Sequence, residues 1–109
     1  MPAFMPIHDL SQLNDMASIP LPIIIKVKDD FDYYAIDSNL DDLIEEHPQI
    51  RLATFNIYEK TDIAMKLNAI HVSAPAFLLY QAGEIKDNIS GNIPEQVQAF
   101  IEKAKESVQ

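Results

Sequence analysis

The chain has 109 residues, 48% of them hydrophobic, with 17 acidic and 8 basic residues and a formal net charge of −9. This length predicts one domain spanning residues 1–109, and the hydrophobic fraction is sufficient for a folded core. The excess of carboxylates argues against nucleic acid as a partner, because contacts to phosphate need lysine and arginine. Since the chain has no cysteine, disulfides, thiolate nucleophiles and thiolate metal ligands are excluded.

Membrane insertion and secretion are not predicted either. No apolar run approaches the ~18 residues that a membrane-spanning helix needs. Residues 1–16 lack a basic segment followed by an apolar one, so no signal peptide is predicted and we expect a cytoplasmic protein. His8, His47 and His71 show no metal-ligand spacing, and no metal or other cofactor is predicted.

The first predicted elements are a short strand over residues 3–7, a helix, and a strand over residues 23–27. Pro6 confines the first strand to a sheet edge, where no ladder N–H is required. Asp9 or Ser11 can cap the helix. The helix carries its apolar residues on one side: Leu10, Leu13 and Met16. The strand over residues 23–27 is β-branched and almost uninterrupted, which is typical of a central strand, and Lys26 near its end is expected to reach water.

Residues 29–46 form an acidic segment without a basic residue. Its acidic residues nearly account for the net charge: Asp29, Asp30, Asp32, Asp37, Asp41, Asp42, Glu45 and Glu46. An amphipathic helix to about Pro48 is predicted from residues that recur at helical spacing: Ile36, Leu40, Leu43, Ile44 and His47. The carboxylates are expected on its solvated outer face, with cation binding or steering of a basic partner as alternatives.

The second half of the chain predicts a strand over residues 50–58, a helix, a strand hairpin and a final helix. Thr61 can cap the first helix, and Asn92 the last, with Pro94 in the tolerant first turn. Between them, residues 77–80 form an apolar and aromatic strand, and Gly83 supplies the turn into an antiparallel partner strand. The final helix carries one apolar face: Val97, Phe100, Ile101, Ala104 and Val108.

This order, βαβαβαββα, together with the spacing of three residues, resembles thioredoxin. Pro75 opens the fourth strand, Gly83 follows it, and Gly91 comes eight residues later, as in that family. The resemblance covers essentially the whole chain. It implies an α/β thioredoxin fold with a central mixed sheet flanked by helices.

The chain departs from the family at the residues that carry its chemistry. The CxxC motif of thioredoxins is replaced by residues 31–35, which read Phe-Asp-Tyr-Tyr-Ala, so a thiolate and its resolving partner are both missing. The family's buried acid is replaced by Lys26, and the threonine after its proline by Ala76. We therefore predict a redox-inactive protein that is not a dithiol oxidoreductase.

The resemblance also implies a site for another protein. In the family the proline follows a cis bond, here expected between Ala74 and Pro75, and an extended peptide can pair with the backbone before it. Aromatic side chains in the loop that replaces CxxC could anchor such a partner, although one or two of them could instead fill the core. The predicted partner-binding residues are Phe31, Asp32, Tyr33, Tyr34, Ala74, Pro75 and Gly91.

The predicted function is that of an adapter or assembly chaperone whose partner is a protein or extended peptide, with a basic partner as the option that the acidic segment adds. Cysteine-free members of the family that act in this way include hydrogenase-maturation chaperones and the non-catalytic domains of disulfide isomerases. One alternative is an enzyme without a thiol, or a protein that binds a glutathione-type ligand in the same groove. Another is that Pro75 only maintains the fold.

Overall fold

The computed structural model describes residues 4–29, 36–68, 76–90 and 94–108. Within them the elements are β1 (Met5–Pro6), α1 (Leu10–Ala17), β2 (Ile23–Lys28), α2 (Ile36–Glu46), β3 (Arg51–Asn56), α3 (Thr61–Lys66), β4 (Ala76–Gln81), β5 (Glu84–Ser90) and α4 (Pro94–Glu106). This order confirms the predicted βαβαβαββα arrangement.

The strands form one mixed sheet in the order β1-β3-β2-β4-β5. β1 and β2 are parallel to β3, whereas β4 is antiparallel to both β2 and β5. β2 is the central strand, with Ile25 opposite Ala53 on one side and Leu78 on the other. The prediction for residues 23–27 is therefore confirmed, as is the edge position of β1 with Pro6.

The sheet separates two hydrophobic cores. The α1–α3 core lies under α1 and α3 and contains Leu13, Met16, Ile23, Ile25, Val27, Phe55, Ile63, Leu78 and Tyr80. The α2–α4 core lies on the other face and contains Ile24, Leu40, Leu43, Leu52, Phe77, Leu79, Val97, Phe100 and Ile101. β2 and β4 contribute alternate residues to each core, which explains their uninterrupted apolar sequences.

Several element boundaries differ from the prediction. Asp9 caps α1 as expected, its Oδ1 accepting from the N–H of Gln12 at 2.8 Å. The prediction that Thr61 caps α3 was wrong, because Thr61 is the first helical residue and Lys60 precedes it without a side-chain cap. α2 ends at Glu46 rather than at Pro48, although the N–H of His47 still donates to the carbonyl of Leu43 at 2.8 Å.

The expectation that Lys26 reaches water was also wrong. Only 3% of Lys26 is exposed. Its Nζ lies 4.2 Å from the centroid of the Phe4 ring. Lys26 lies two residues after Ile24 in β2 and therefore points to the same side of the sheet, that of the α2–α4 core. The sequence around Lys26 gives no sign of Phe4, which precedes it by more than twenty residues.

The turn between β4 and β5 consists of Ala82 and Gly83, both with positive φ, at 54° and 84°. Two consecutive residues in this region form the tight hairpin turn that matches the twist of antiparallel strands. Gly83 adopts this conformation without a steric penalty, as the sequence predicts. Ala82 adopts it with a Cβ atom and is therefore strained.

Candidate partner-binding site

The residues predicted to bind a partner lie outside the described part of the chain: Phe31, Asp32, Tyr33, Tyr34, Ala74, Pro75 and Gly91. They belong to residues 30–35, 69–75 and 91–93, which connect elements that the structure describes. The cis bond expected between Ala74 and Pro75 lies there as well. The assignment of these residues to a binding site therefore stays a prediction. The structure describes the strand ends to which their connections are attached.

Those strand ends lie together at one end of the sheet. β2 runs towards Asp29, and β4 is antiparallel to it, so that Ala76 at the start of β4 lies opposite Val27. Ser90, the last residue of β5, lies opposite Ala76. We call this region the Asp29 end, defined by Lys28, Asp29, Asn56, Ala76 and Ser90. The three connections that hold the predicted residues are thus attached to neighbouring strands.

A nearly buried asparagine fixes the backbone at the Asp29 end. Asn56 is the last residue of β3 and is 9% exposed. Its Nδ2 donates to the carbonyl of Asp29 at 2.9 Å. Its Oδ1 accepts from the N–H of Tyr58 at 2.8 Å and from that of Glu59 at 3.3 Å. One side chain therefore holds the end of β2 and the turn after β3 together.

Tyr58 is a candidate site residue that the sequence analysis did not find. It was predicted as the last residue of a strand, but β3 ends at Asn56 and Tyr58 is 71% exposed. The sequence does contain one signal for the end of the strand, because Asn56 follows a run of apolar residues and asparagine favours turns. Met65 on α3 is a second large apolar side chain of this part of the chain that faces solvent, with 66% of its surface exposed.

α2 has three of its acidic residues on the outer side, as predicted, whereas Asp41 is half-buried. Asp42, Glu45 and Glu46 are exposed, while Leu40 and Leu43 are buried. An oxygen of Glu46 lies 3.7 Å from Nζ of Lys105 on α4. Among the residues that the structure describes, no three His, Asp or Glu side chains form a group that could hold a metal ion.

A surface groove of about 570 Å³ runs between the edge strand β5 and α4. Its lining residues include Asp87, Ile89, Gln96 and Phe100, and it reaches Ser90 at the Asp29 end. The outer strand beside it is protected by charged side chains, because Glu84, Lys86 and Asp87 interrupt its apolar residues. This groove is a second place where a ligand could bind, and binding experiments must separate it from the Asp29 end.

Comparison with known proteins identifies the architecture. A thioredoxin of Entamoeba histolytica, solved as a cysteine-to-serine mutant, is 20% identical, with a TM-score of 0.74 over 93% of this chain and 99% of that chain. The oxidised mitochondrial thioredoxin 3 of Saccharomyces cerevisiae is 19% identical, with a TM-score of 0.75 over 92% and 94% of the two chains. The chain has the thioredoxin fold. No family model and no curated protein sequence matches it.

A thioredoxin fold without cysteine cannot carry out dithiol exchange, because the attacking group is a thiolate. The thioredoxin of Trypanosoma brucei brucei shares the fold at still lower sequence identity: it is 13% identical at a TM-score of 0.75, with 98% of this chain and 92% of that chain covered. At such identities the likeness shows the fold alone. In the described ranges no helix is long and apolar enough to cross a membrane.

Proposed function

We propose that this thioredoxin-like chain binds an extended segment of another protein at the Asp29 end and acts as an adapter or assembly chaperone without redox chemistry. The proposed contact residues are Phe31, Asp32, Tyr33, Tyr34, Ala74, Pro75 and Gly91. Binding would not involve a mixed disulfide, because the chain has no thiol.

The observation that carries this proposal is the pairing of β2 with β4 at the Asp29 end. Val27 lies opposite Ala76, and Ser90 lies opposite Ala76 on the other side. The connection of residues 30–35 begins directly after Asp29, and the connection of residues 69–75 ends directly before Ala76. Aromatic residues and a proline from distant parts of the sequence are therefore attached to adjacent strand ends.

The chemistry of these residues suits the capture of an extended peptide. Backbone N–H and C=O groups beside a proline can pair with a peptide strand and provide affinity without sequence specificity. Tyrosine and phenylalanine offer large contact areas at a small cost in side-chain entropy. The acidic residue Asp32 among them would favour a basic partner.

The proposal can be tested with a display library of random twelve-residue peptides, selected for binding to the intact protein. Amide chemical shifts of the labelled protein then map the site of a selected peptide. We expect the largest shifts at Val27, Asp29 and Ala76, which do not line the groove between β5 and α4. Shifts confined to the groove between β5 and α4, or a library that yields no binder, would contradict the proposal.

A double variant tests the aromatic anchors. Tyr33→Ala with Tyr34→Ala should weaken binding of the selected peptide at least about tenfold, because each ring is expected to contribute about 1 kcal/mol or more. Ile19→Ala is the matched control, since Ile19 is an exposed apolar residue that precedes the opposite end of β2. Both proteins should keep the melting temperature within a few degrees. Unchanged affinity in the double variant rules out the anchors.

The same assay distinguishes peptide binding from the alternative function, which is binding of a glutathione-type ligand. Reduced glutathione is titrated into the labelled protein, and the peptide is then added in competition. Displacement of the peptide by glutathione at millimolar concentration would favour a small-ligand site. Capture of partners from the native lysate, compared between the wild-type protein and the double variant, then identifies the natural ligand.

A further inference from the structure

We propose that Tyr58 and Glu59 form a subsite for an arginine or lysine side chain of the bound peptide. The inference rests on the proposed function, because it specifies what the peptide presents at the Asp29 end. Both residues lie in the described part of the chain, outside the three connections that hold the predicted contact residues. The cation would lie over the Tyr58 ring and beside the Glu59 carboxylate.

The first argument is the exposure of a tyrosine on a fixed backbone. Tyr58 is 71% exposed, although tyrosine usually buries most of its ring. Its N–H donates to Oδ1 of Asn56 at 2.8 Å, and Asn56 is itself nearly buried. The backbone of the turn is therefore ordered before any partner binds, which reduces the entropy lost on binding.

The second argument is the position of the turn. Asn56 lies opposite Lys28 in the pairing of β2 with β3, and its Nδ2 donates to the carbonyl of Asp29 at 2.9 Å. Residue 30 follows directly, so the turn with Tyr58 lies beside the start of the connection that carries the predicted aromatic anchors. A peptide bound at the Asp29 end can reach both.

The third argument is charge. Glu59 is exposed, and within the described residues its carboxylate has no hydrogen bond or ion pair. Asp62 is a second exposed carboxylate, and it accepts from the N–H of Ile63 at 2.9 Å. Lys60 and Lys66 balance these two carboxylates over residues 57–66, so the local anionic group is the carboxylate of Glu59 itself, in a chain with a net charge of −9. A cationic side chain is therefore the complementary group.

These features favour arginine over lysine. A guanidinium group stacks on an aromatic ring and also forms hydrogen bonds to a carboxylate in its own plane. An ammonium group is more strongly hydrated and gains less from the ring. We expect about a three- to tenfold loss of affinity when the arginine is replaced by glutamine, and a smaller gain for lysine over glutamine.

The test uses a peptide selected from the twelve-residue library, in which each basic residue is replaced in turn by glutamine. The wild-type protein should prefer one arginine-containing peptide over its glutamine version by about three- to tenfold in Kd. Tyr58→Ala should remove this preference, whereas Tyr58→Phe should retain most of it, because the ring face is unchanged. Glu59→Gln should reduce the preference about two- to threefold.

Glu106→Gln is the matched control for Glu59→Gln. It removes the same charge from an exposed position at the C-terminal end of α4. If both variants reduce binding equally, the effect is a general attraction and the subsite is ruled out. Selected peptides without basic residues, or a Tyr58→Ala variant that weakens both peptides equally, would overturn the subsite while peptide binding itself stands. A library without any binder overturns both proposals.

Discussion

Asn56 connects two backbone segments that are distant in sequence. Its amide group forms hydrogen bonds to the carbonyl of Asp29 and to the N–H groups of Tyr58 and Glu59. No apolar residue can replace these bonds, because the amide contributes both a donor and an acceptor. The geometry of the proposed subsite therefore depends on a residue that would not itself touch the peptide.

We expect Asn56→Ala to lower the free energy of unfolding by about 1–3 kcal/mol, because backbone groups near the buried side chain lose their partner. Urea denaturation measures this loss. Asn14→Ala is the control, since Asn14 lies exposed on α1 and its replacement should change stability by less than about 0.5 kcal/mol. Similar stability of the two variants would contradict the role given to Asn56.

Lys26 and Phe4 form the second residue pair of interest. The ammonium group lies 4.2 Å from the ring centroid, and only 3% of the lysine is exposed. Lys26 has further interactions, so a single substitution would not isolate the contact with the ring. A double-mutant cycle does isolate it.

The cycle consists of Phe4→Leu, Lys26→Met and the double variant. We expect a favourable coupling of about 0.5–2 kcal/mol between the two side chains, since the contact lies away from water. Chemical denaturation of the four proteins gives the coupling energy. Strictly additive losses would show that the ring only covers the lysine stem.

At the scale of elements, the turn of the β4–β5 hairpin has a strained backbone, and a single substitution should relieve the strain. Ala82 has φ of 54°, a conformation that disfavours residues with a Cβ atom. Asparagine tolerates this region better, and Asn-Gly is the preferred pair for such a two-residue turn. A Cβ atom added at Gly83 would meet no atom within 4 Å, so the cost of a substitution there is conformational.

We therefore expect Ala82→Asn to raise the free energy of unfolding by about 0.5–1 kcal/mol, and Gly83→Ala to lower it by about 1 kcal/mol. Thermal and urea unfolding of the two variants measure the effects. The diagnostic result is that the two substitutions change the free energy of unfolding in opposite directions. A destabilising Ala82→Asn would show that the turn needs alanine for a reason other than backbone conformation.

The same scale shows how far the sequence predicts the fold. β2 and β4 were predicted from apolar runs, because a strand buried on both faces needs no polar alternation. The four helices were predicted from their apolar spacing, and α1 from its Asp9 cap. Boundaries such as the end of β3 were missed, because Ile57 and Tyr58 continue the apolar pattern beyond the last paired residue.

Side-chain exposure was harder to predict than secondary structure. Lys26 is buried and contacts Phe4, which is distant in sequence, and Tyr58 is exposed because β3 ends before it. The candidate site was predicted from the spacing of Pro75, Gly83 and Gly91 and from the lost CxxC motif. The residues of that site lie outside the described ranges, so the assignment stays a prediction.

At the scale of the whole molecule, net charge opposes folding. The chain has a net charge of −9, and its longest extent is 31 Å. At 0.01 M salt the Debye length is about 30 Å, so charges across the whole molecule repel one another, whereas at 0.15 M it is about 8 Å. Screening should therefore stabilise the folded state.

We expect the melting temperature to rise by about 2–5 °C when NaCl is raised from about 0.01 M to about 0.15 M. Differential scanning calorimetry provides the measurement. CaCl₂ at equal ionic strength should have the same effect if the acidic residues form only a solvated surface. A clearly larger rise with Ca²⁺ would favour specific cation binding, and a fall with NaCl would contradict the repulsion argument.

The division of the interior by the sheet has a consequence for how this protein can change. Since the α1–α3 core and the α2–α4 core share no side chain, a substitution in one core can affect the other only through the backbone of the shared strands. When two substitutions lie on opposite faces of the sheet, their losses of unfolding free energy should add. Each core can therefore change its side chains largely on its own while the strand order of the sheet is kept.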